Sequence, residues 1–191
     1  MIFLPQVDFN KSNNSFRMSN NNKSLLSITQ VRPHLFLSGY GCLTSSLLKQ
    51  YNITRAVDCT NLKTKPIAGL EKIEVPVDDS ALSKISGYFD TVIKYVEEGK
   101  QQGQNTVIYC AAGVSRSATL TIVYLMVTER LSLEDAYHQV NRVRPIISPN
   151  VGFWRQMIEF EKQLNGSTSV ELISGRTAKP VPSVYLRREV C

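Results

Sequence analysis

The 191-residue sequence has few of the features typical of metal-binding, membrane-spanning or secreted proteins. It has only two histidines, and its four cysteines form no Cys-x-x-Cys pair, so we expect no metal site and no cofactor. Its apolar runs fall far short of the roughly 20 residues that a membrane-spanning helix needs. No basic segment precedes the short apolar start at residues 1–5, so we expect no secretory signal. We therefore interpret the cysteines as free thiols in a reducing compartment and expect a cytoplasmic protein, with the nucleus or mitochondria as alternatives.

The charge is modest and spread along the chain. The formal net charge is +6, but no Lys/Arg tract with interleaved aromatic residues is present. This distribution suits an acidic or phosphorylated partner and argues against a nucleic-acid partner. It says nothing about the oligomeric state.

The composition changes along the chain and predicts three segments. Residues 1–26 are rich in asparagine and serine without periodicity, so we expect a disordered tail. Residues 27–166 alternate between β-prone and helical patterns and have the length of one domain. Residues 167–191 contain two prolines and no clear period, which indicates an extension packed on the domain surface.

The pattern within residues 27–166 predicts an α/β fold with a central, mixed but mostly parallel sheet flanked by helices on both faces. Gly99 is expected to end the second helix, and Ser132 and Asn150 are expected to cap the last two. The predicted strands cover residues 27–31, 35–38, 53–60, 72–77 and 106–109, and the predicted helices cover 45–51, 88–98, 115–128, 132–144 and 150–164.

One stretch has the pattern of an anion-binding loop. A β-prone run ends at Cys110, a short loop follows, and an apolar helix begins near Arg116. The amides of such a loop and the positive end of the helix dipole favour a phosphate group. The expected substrate-binding residues are therefore those of the loop: Ala111, Ala112, Gly113, Val114 and Ser115.

The same loop predicts a nucleophile. The field that binds phosphate also stabilises a thiolate, so Cys110 is the candidate for in-line attack and a cysteinyl-phosphate intermediate. Arg116 can bind two phosphate oxygens at once, and Ser117 can donate a hydrogen bond to the sulfur. A buried structural thiol is the alternative for Cys110, and a helix cap is the alternative for Ser117.

The segment VIYCAAGVSRSATLTIVYLM, residues 107–126, resembles the signature of cysteine-based protein phosphatases. The resemblance is strongest to the small atypical dual-specificity phosphatases and covers about residues 27–190. It also includes RPHLFLSGY, VPVDDS, GYFDTV, RPIISPNVGFWRQMIEFEKQL and KPVPSVY.

The resemblance implies a general acid that the loop itself does not contain. The second aspartate of VPVDDS matches the family's proton donor, which is Asp79 here, with Asp78 as the adjacent alternative. The sequence departs from the family at Tyr109, because the family has histidine immediately before the nucleophile. This replacement implies a slower enzyme.

The resemblance therefore implies a metal-free phosphatase that acts on phosphotyrosine and phosphoserine or phosphothreonine in proteins. Relatives that act on lipids or RNA tend to have lysine or histidine inside the loop, so the uncharged loop interior here favours protein or small phosphoester substrates over phosphoinositides. A pseudophosphatase that binds phosphoproteins with little turnover is the alternative, and Tyr109 is its only support. A pure scaffold would need none of Cys110, Arg116 and Asp79.

Overall fold

The computed structural model describes residues 27–63, 66–174 and 180–186. The disordered tail predicted for residues 1–26 lies outside the described residues. Within the described part, a central five-stranded sheet has the order β1-β2-β5-β3-β4. The strands are β1 (Thr29–Arg32), β2 (Leu35–Gly39), β3 (Ile53–Asp58), β4 (Glu71–Glu74) and β5 (Asn105–Cys110).

The sheet is mixed and mostly parallel, as predicted. Strands β1 and β2 pair antiparallel as a hairpin, while β2, β5, β3 and β4 pair in parallel. Parallel strands present their carboxyl ends at one edge of a sheet, where ligands of α/β proteins bind. Cys110 ends the central strand β5, so it lies at the middle of this edge.

Helices cover both faces of the sheet, again as predicted. Apolar residues of α1 pack on one face, and those of the other four helices pack on the opposite face. The helices are α1 (Ser45–Gln50), α2 (Phe89–Gln101), α3 (Arg116–Glu129), α4 (Leu133–Val143) and α5 (Val151–Asn165). Helix α3 is buried along most of its length, which explains its lack of a polar face.

The prediction that Gly99 ends the second helix is wrong, because α2 continues to Gln101. A Cβ at Gly99 would lie 2.9 Å from the Arg55 side chain and 3.0 Å from Thr106 Oγ1. The glycine is therefore needed for close packing of the helix against the sheet. The two predicted caps are confirmed: Ser132 Oγ accepts from Asp135 N at 3.0 Å, and Asn150 Oδ1 accepts from Phe153 N at 3.0 Å.

Residues after α5 contact the helical face. Short strands β6 (Leu172–Ile173) and β7 (Val181–Pro182) pair antiparallel. Val170 and Val184 are buried, and Tyr185 packs edge-on against the buried Trp154. Trp154 is a core residue, as predicted from its helical face.

Within the described ranges, every helix is too short or too polar to cross a membrane. The same residues contain no cluster of three or more His, Cys, Asp or Glu side chains that could hold a metal ion. Cys42, Cys59 and Cys110 are buried thiols.

Candidate active site

The loop between β5 and α3 turns its carbonyl groups outward. Ala111 O accepts from Tyr40 N at 3.3 Å, and Val114 O accepts from Ser148 N at 2.9 Å. The two carbonyls between them, of Ala112 and Gly113, both accept from the Arg144 guanidinium. Since the N–H of a planar peptide points opposite to its C=O, outward carbonyls place the loop amides on the inner side. The loop is thus a cradle of amide donors.

Gly113 is required for this shape. Its φ of +70° is a backbone conformation that residues with a Cβ rarely adopt. A Cβ here would also lie 2.5 Å from Ser38 C and 2.7 Å from Gly39 N. Gly113 therefore lets the loop turn sharply over the end of β2.

Cys110 lies at the floor of the cradle and is only 2% exposed. Its sulfur accepts from Gly113 N at 3.3 Å and from Ser117 Oγ at 3.1 Å. Burial raises the pKa of this thiol, but the hydrogen bonds outweigh burial and lower the pKa below its usual value. The donors are the Ser117 hydroxyl and the backbone amides of Ser117, Val114 and Gly113. The arrangement favours a thiolate, the nucleophilic form of cysteine.

Arg116 is the first residue of α3, and its buried guanidinium is hydrogen-bonded to backbone carbonyls on the side away from the cradle. Nη1 donates to Thr60 O at 2.9 Å and to Val77 O at 3.3 Å. Nε is buried and has no hydrogen-bond partner within the described part of the chain. A buried donor without a partner is costly, so this edge of the guanidinium is suited to receive an anion.

Asp79, and not Asp78, is placed beside this edge. Asp79 Oδ2 lies 3.7 Å from Arg116 Nε, and its Oδ1 accepts from Ser115 Oγ at 2.8 Å. Asp78 instead accepts from Asn61 Nδ2 at 2.7 Å, away from the cradle. The geometry therefore favours Asp79 as the group that exchanges a proton with a bound phosphate ester.

Asn150 has a second contact that its cap position did not predict. Its Nδ2 donates to Asp79 Oδ1 at 2.8 Å, while its backbone N donates to Ser115 Oγ at 3.1 Å. The residue thus joins the start of α5 to both Asp79 and the cradle. Its position after Pro149 favoured the cap, and the family resemblance also allowed a role in supporting the loop.

Arg144 is the functional residue that sequence reasoning missed. It is 1% exposed and follows α4. Nε donates to Gly113 O at 2.8 Å and Nη2 to Ala112 O at 3.2 Å. Burial lowers its pKa, and attraction to Cys42 and to Cys110 opposes that shift. The only sequence signal was its place in the RPIISPN segment after α4.

The remaining predicted residues lie at or around the cradle. Ser115 and Ser117 are buried beneath the loop, whereas Ala111 and Ala112 are exposed at its rim and Val114 is half-buried. The rim is therefore formed by small side chains, which leave the cradle open to a large substrate.

Tyr109 points away from Cys110. Because side chains alternate along a strand, Cys110 faces the helices α2 to α5 while Tyr109 faces the α1 side. Its ring stacks on Tyr40 with centroids 6.1 Å apart, and its side chain forms a hydrogen bond to Asp58. The Tyr109 side chain thus lies on the opposite face of the sheet from the sulfur.

Comparison with protein families gives a match over most of this fold. A family model described as the catalytic domain of dual specificity phosphatase matches residues 35–163. Dual specificity protein phosphatase 14 from Homo sapiens is 40% identical over 161 residues, which cover 83% of this chain and 80% of the relative. Dual specificity protein phosphatase 18 from Mus musculus is 33% identical over 164 residues, which cover 85% of this chain and 87% of the relative.

Solved structures show the same fold. Human DUSP28 has a TM-score of 0.68 at 29% identity, covering 72% of this chain and 94% of that structure. A mouse putative dual specificity phosphatase complexed with zinc tungstate has a TM-score of 0.70 at 27% identity, covering 78% and 95%. The human tyrosine phosphatase-like serine/threonine/tyrosine-interacting protein has a TM-score of 0.67 at 27% identity, covering 72% and 97%.

Proposed function

We propose that this chain, which belongs to the dual specificity phosphatase family and is a protein phosphatase, works through a cysteinyl-phosphate intermediate on phosphotyrosine and on phosphoserine or phosphothreonine. The observation that carries the mechanism is the Cys110 sulfur at the floor of the amide cradle, with two donors within hydrogen-bond distance. Residues 27–166 are the proposed catalytic domain, residues 1–26 a disordered tail and residues 167–191 a surface extension. We also propose that the protein acts in the cytoplasm.

In the first step the Cys110 thiolate attacks phosphorus. The S–P bond forms as the bond from phosphorus to the ester oxygen breaks, and protonated Asp79 gives its proton to the leaving oxygen. The loop amides and the Nε edge of Arg116 stabilise the charge on the three other phosphate oxygens. No metal is needed, because the donors of the protein carry this charge.

In the second step a water molecule attacks the phosphorus of the intermediate. Asp79, now ionised, takes a proton from that water, and the S–P bond breaks to release inorganic phosphate. Ser117 Oγ lies 3.1 Å from the sulfur and donates to the departing thiolate. The cycle ends with Asp79 protonated and Cys110 ionised, as it began.

The open rim supports protein substrates of both kinds. Ala111, Ala112, Val114 and Ser115 carry no charge that would select a phosphoinositide head group. The exposed alanines leave the cradle accessible to the short serine side chain as well as to the longer tyrosine side chain.

The alternative is a pseudophosphatase, which binds phosphoproteins with little turnover. One structural relative is the human tyrosine phosphatase-like serine/threonine/tyrosine-interacting protein, and Tyr109 is the feature of this chain that favours such a role. The hydrogen-bonded Cys110, the Arg116 Nε without a hydrogen-bond partner in the described residues and the adjacent Asp79 favour turnover instead.

Hydrolysis of an aryl phosphate by purified protein tests the proposal, with Cys110→Ser as the matched variant. We expect turnover in the wild type and none in Cys110→Ser, while tungstate binding survives because backbone amides and Arg116 supply it. Residual activity above about a tenth of the wild-type rate, a barrier change of only ~1.4 kcal/mol, would contradict the nucleophile assignment. Tungstate binding without any turnover in the wild type would establish the pseudophosphatase.

A further inference from the structure

Asp58, at the end of β3, is a buried carboxylate that the mechanism above does not use. It is 3% exposed, and a buried charge is tolerated only when it is paired and hydrogen-bonded. It lies directly opposite Tyr109 in the pairing of β3 with β5, so the two side chains share one face of the sheet. The Tyr109 side chain donates a hydrogen bond to this carboxylate.

The carboxylate fixes the turn that follows β3. Asp58 Oδ1 accepts from Thr60 N at 3.0 Å and from Thr60 Oγ1 at 2.7 Å. Its other oxygen, Oδ2, accepts from Lys72 Nζ at 3.0 Å. A side-chain oxygen that binds the backbone two residues later holds a turn in one conformation. The Thr60 hydroxyl that Asp58 orients also accepts from Leu62 N at 3.2 Å. Asp58 therefore fixes the backbone on both sides of Thr60, and with it the direction of the Thr60 carbonyl.

The Thr60 carbonyl in turn holds Arg116, because it accepts from Nη1 at 2.9 Å. Nη1 lies on the side of the guanidinium away from the cradle, and Nε is buried with no hydrogen-bond partner within the described ranges, so it has a donor to offer an anion. A displaced Thr60 carbonyl would rotate the guanidinium and move Nε out of position. Asp58 thus reaches Arg116 through a single residue.

We propose that Asp58 is a positioning residue for phosphate binding, which holds the Thr60 turn and thereby the orientation of Arg116, and that the Tyr109 hydroxyl holds Asp58 in place. The inference rests on the proposed function in one respect, the assignment of Arg116 to the phosphate. It also gives Tyr109 a role: the residue that departs from the family pattern forms one half of a buried pair.

The test compares Asp58→Ala with Asp58→Asn and with Glu74→Ala. Glu74 is a matched control, because its carboxylate pairs with the same Lys72 Nζ at 2.9 Å but is exposed and does not bind the Thr60 turn. For each protein, calorimetry measures the Kd for sodium tungstate, and steady-state kinetics with an aryl phosphate measures kcat and KM. Thermal unfolding records whether each variant is folded.

We expect Asp58→Ala to weaken tungstate binding about tenfold, equal to ~1.4 kcal/mol, and to raise KM more than it lowers kcat. Asp58→Asn keeps an oxygen that can accept from Thr60, so it should retain most of the wild-type tungstate affinity. Glu74→Ala should have the tungstate affinity and KM of the wild type. In an Arg116→Lys background, Asp58→Ala should cause little further loss of tungstate affinity, because the guanidinium that Asp58 orients is already absent. A change of stability alone would move the melting temperature but not the ratio of KM to kcat.

Equal tungstate affinity and equal KM in Asp58→Ala and Glu74→Ala, with the wild type active, would overturn this inference alone. A wild-type protein that neither binds tungstate nor hydrolyses the ester would overturn the proposed function and this inference together. If Asp58→Ala does not fold, Tyr109→Phe decides, since it removes only the hydroxyl and keeps the ring on Tyr40. We expect about threefold weaker tungstate binding there, and wild-type affinity would refute the proposal.

Discussion

The cradle and the acid loop, which carries the proposed general acid Asp79, lie side by side but are held in different ways. Every carbonyl from residue 111 to residue 114 has a partner outside the cradle, and Arg144 supplies two of them while 1% exposed. The acid loop after β4 is exposed, and Leu82 within it is 92% exposed. Asp79 is held there by side-chain bonds from Ser115 and Asn150.

The difference separates two functions. The cradle is built from backbone groups and buried side chains, so its donors are oriented before the substrate arrives. The acid depends on a few side-chain contacts at the surface, which leave it freer to adjust. A substitution that distorts the cradle should therefore weaken phosphate binding and lower kcat together. A substitution in the acid loop should affect only the proton transfer.

The largest effect that separates the two regions is expected from Asp79→Asn. Loss of the Asp79 carboxyl should lower kcat about 100-fold or more, the usual scale of general acid catalysis, without weakening tungstate binding. The loss should shrink for esters with good leaving groups, because these need no proton. Asp78→Asn is the matched control and should leave kcat nearly unchanged, since Asp78 binds Asn61 and not the cradle. Kinetics with aryl phosphates of graded leaving-group pKa measure both variants, and the reverse order would move the acid to Asp78.

Gly113→Ala should break the cradle itself. The added Cβ meets Ser38 C at 2.5 Å, so the loop must shift and both tungstate affinity and kcat/KM should fall about 100-fold, the scale of a 1 Å misplacement.

Gly166→Ala is the matched control for backbone strain. Gly166 has a similar φ of +73°, but a Cβ there would meet nothing within 4 Å. It should cost about 1 kcal/mol of stability and leave tungstate affinity unchanged. Calorimetry and thermal unfolding check both proteins, and equal tungstate affinities in the two variants would show that the close approach to β2 is unimportant.

Asn150→Ser tests the link between the two regions. Serine keeps the helix cap but is too short to reach Asp79, so kcat should fall about fivefold for poor leaving groups, roughly the value of one ordinary intramolecular hydrogen bond. The effect should disappear in an Asp79→Asn background. Ser132→Ala removes a cap remote from the site and should lower stability by about 1 kcal/mol with unchanged kcat. An equal loss of kcat in both variants would assign Asn150 to the cap alone.

The smallest effect is expected from Tyr109→His. The pKa of Cys110 is lowered in the wild type, so reactivity is present above that lowered pKa and is lost as the pH falls through it. Histidine can still donate to Asp58 and adds an imidazole beside the loop, so kcat/KM should rise a few-fold and the acidic limb should move to lower pH.

Each pKa unit of that movement corresponds to about 1.36 kcal/mol of thiolate stabilisation. Alkylation of Cys110 by iodoacetamide across pH measures it directly. Identical alkylation profiles and equal turnover in the wild type and Tyr109→His would show that the tyrosine is a neutral replacement.

Much of the fold could be predicted from the sequence, because it rests on local patterns. Short β-prone runs marked the strands, helical spacing marked α2 and α5, and the capping residues lie next to the helices that they cap. The predicted end of α2 at Gly99 failed because glycine signals a helix end only when the chain around it is free. Here the glycine makes room for Arg55 of β3, which is far away in sequence.

The sequence by itself determined the order of elements and the group of Cys110, Arg116 and Ser117, since these lie within one loop and the first turn of one helix. Only the tertiary structure decided what surrounds them. Arg144 reaches the loop carbonyls across 31 residues, and Asn150 reaches Asp79 across 71. The Asp58 turn that holds Arg116 lies on a neighbouring strand. Such contacts depend on how separate elements pack, and spacing along a chain does not encode them.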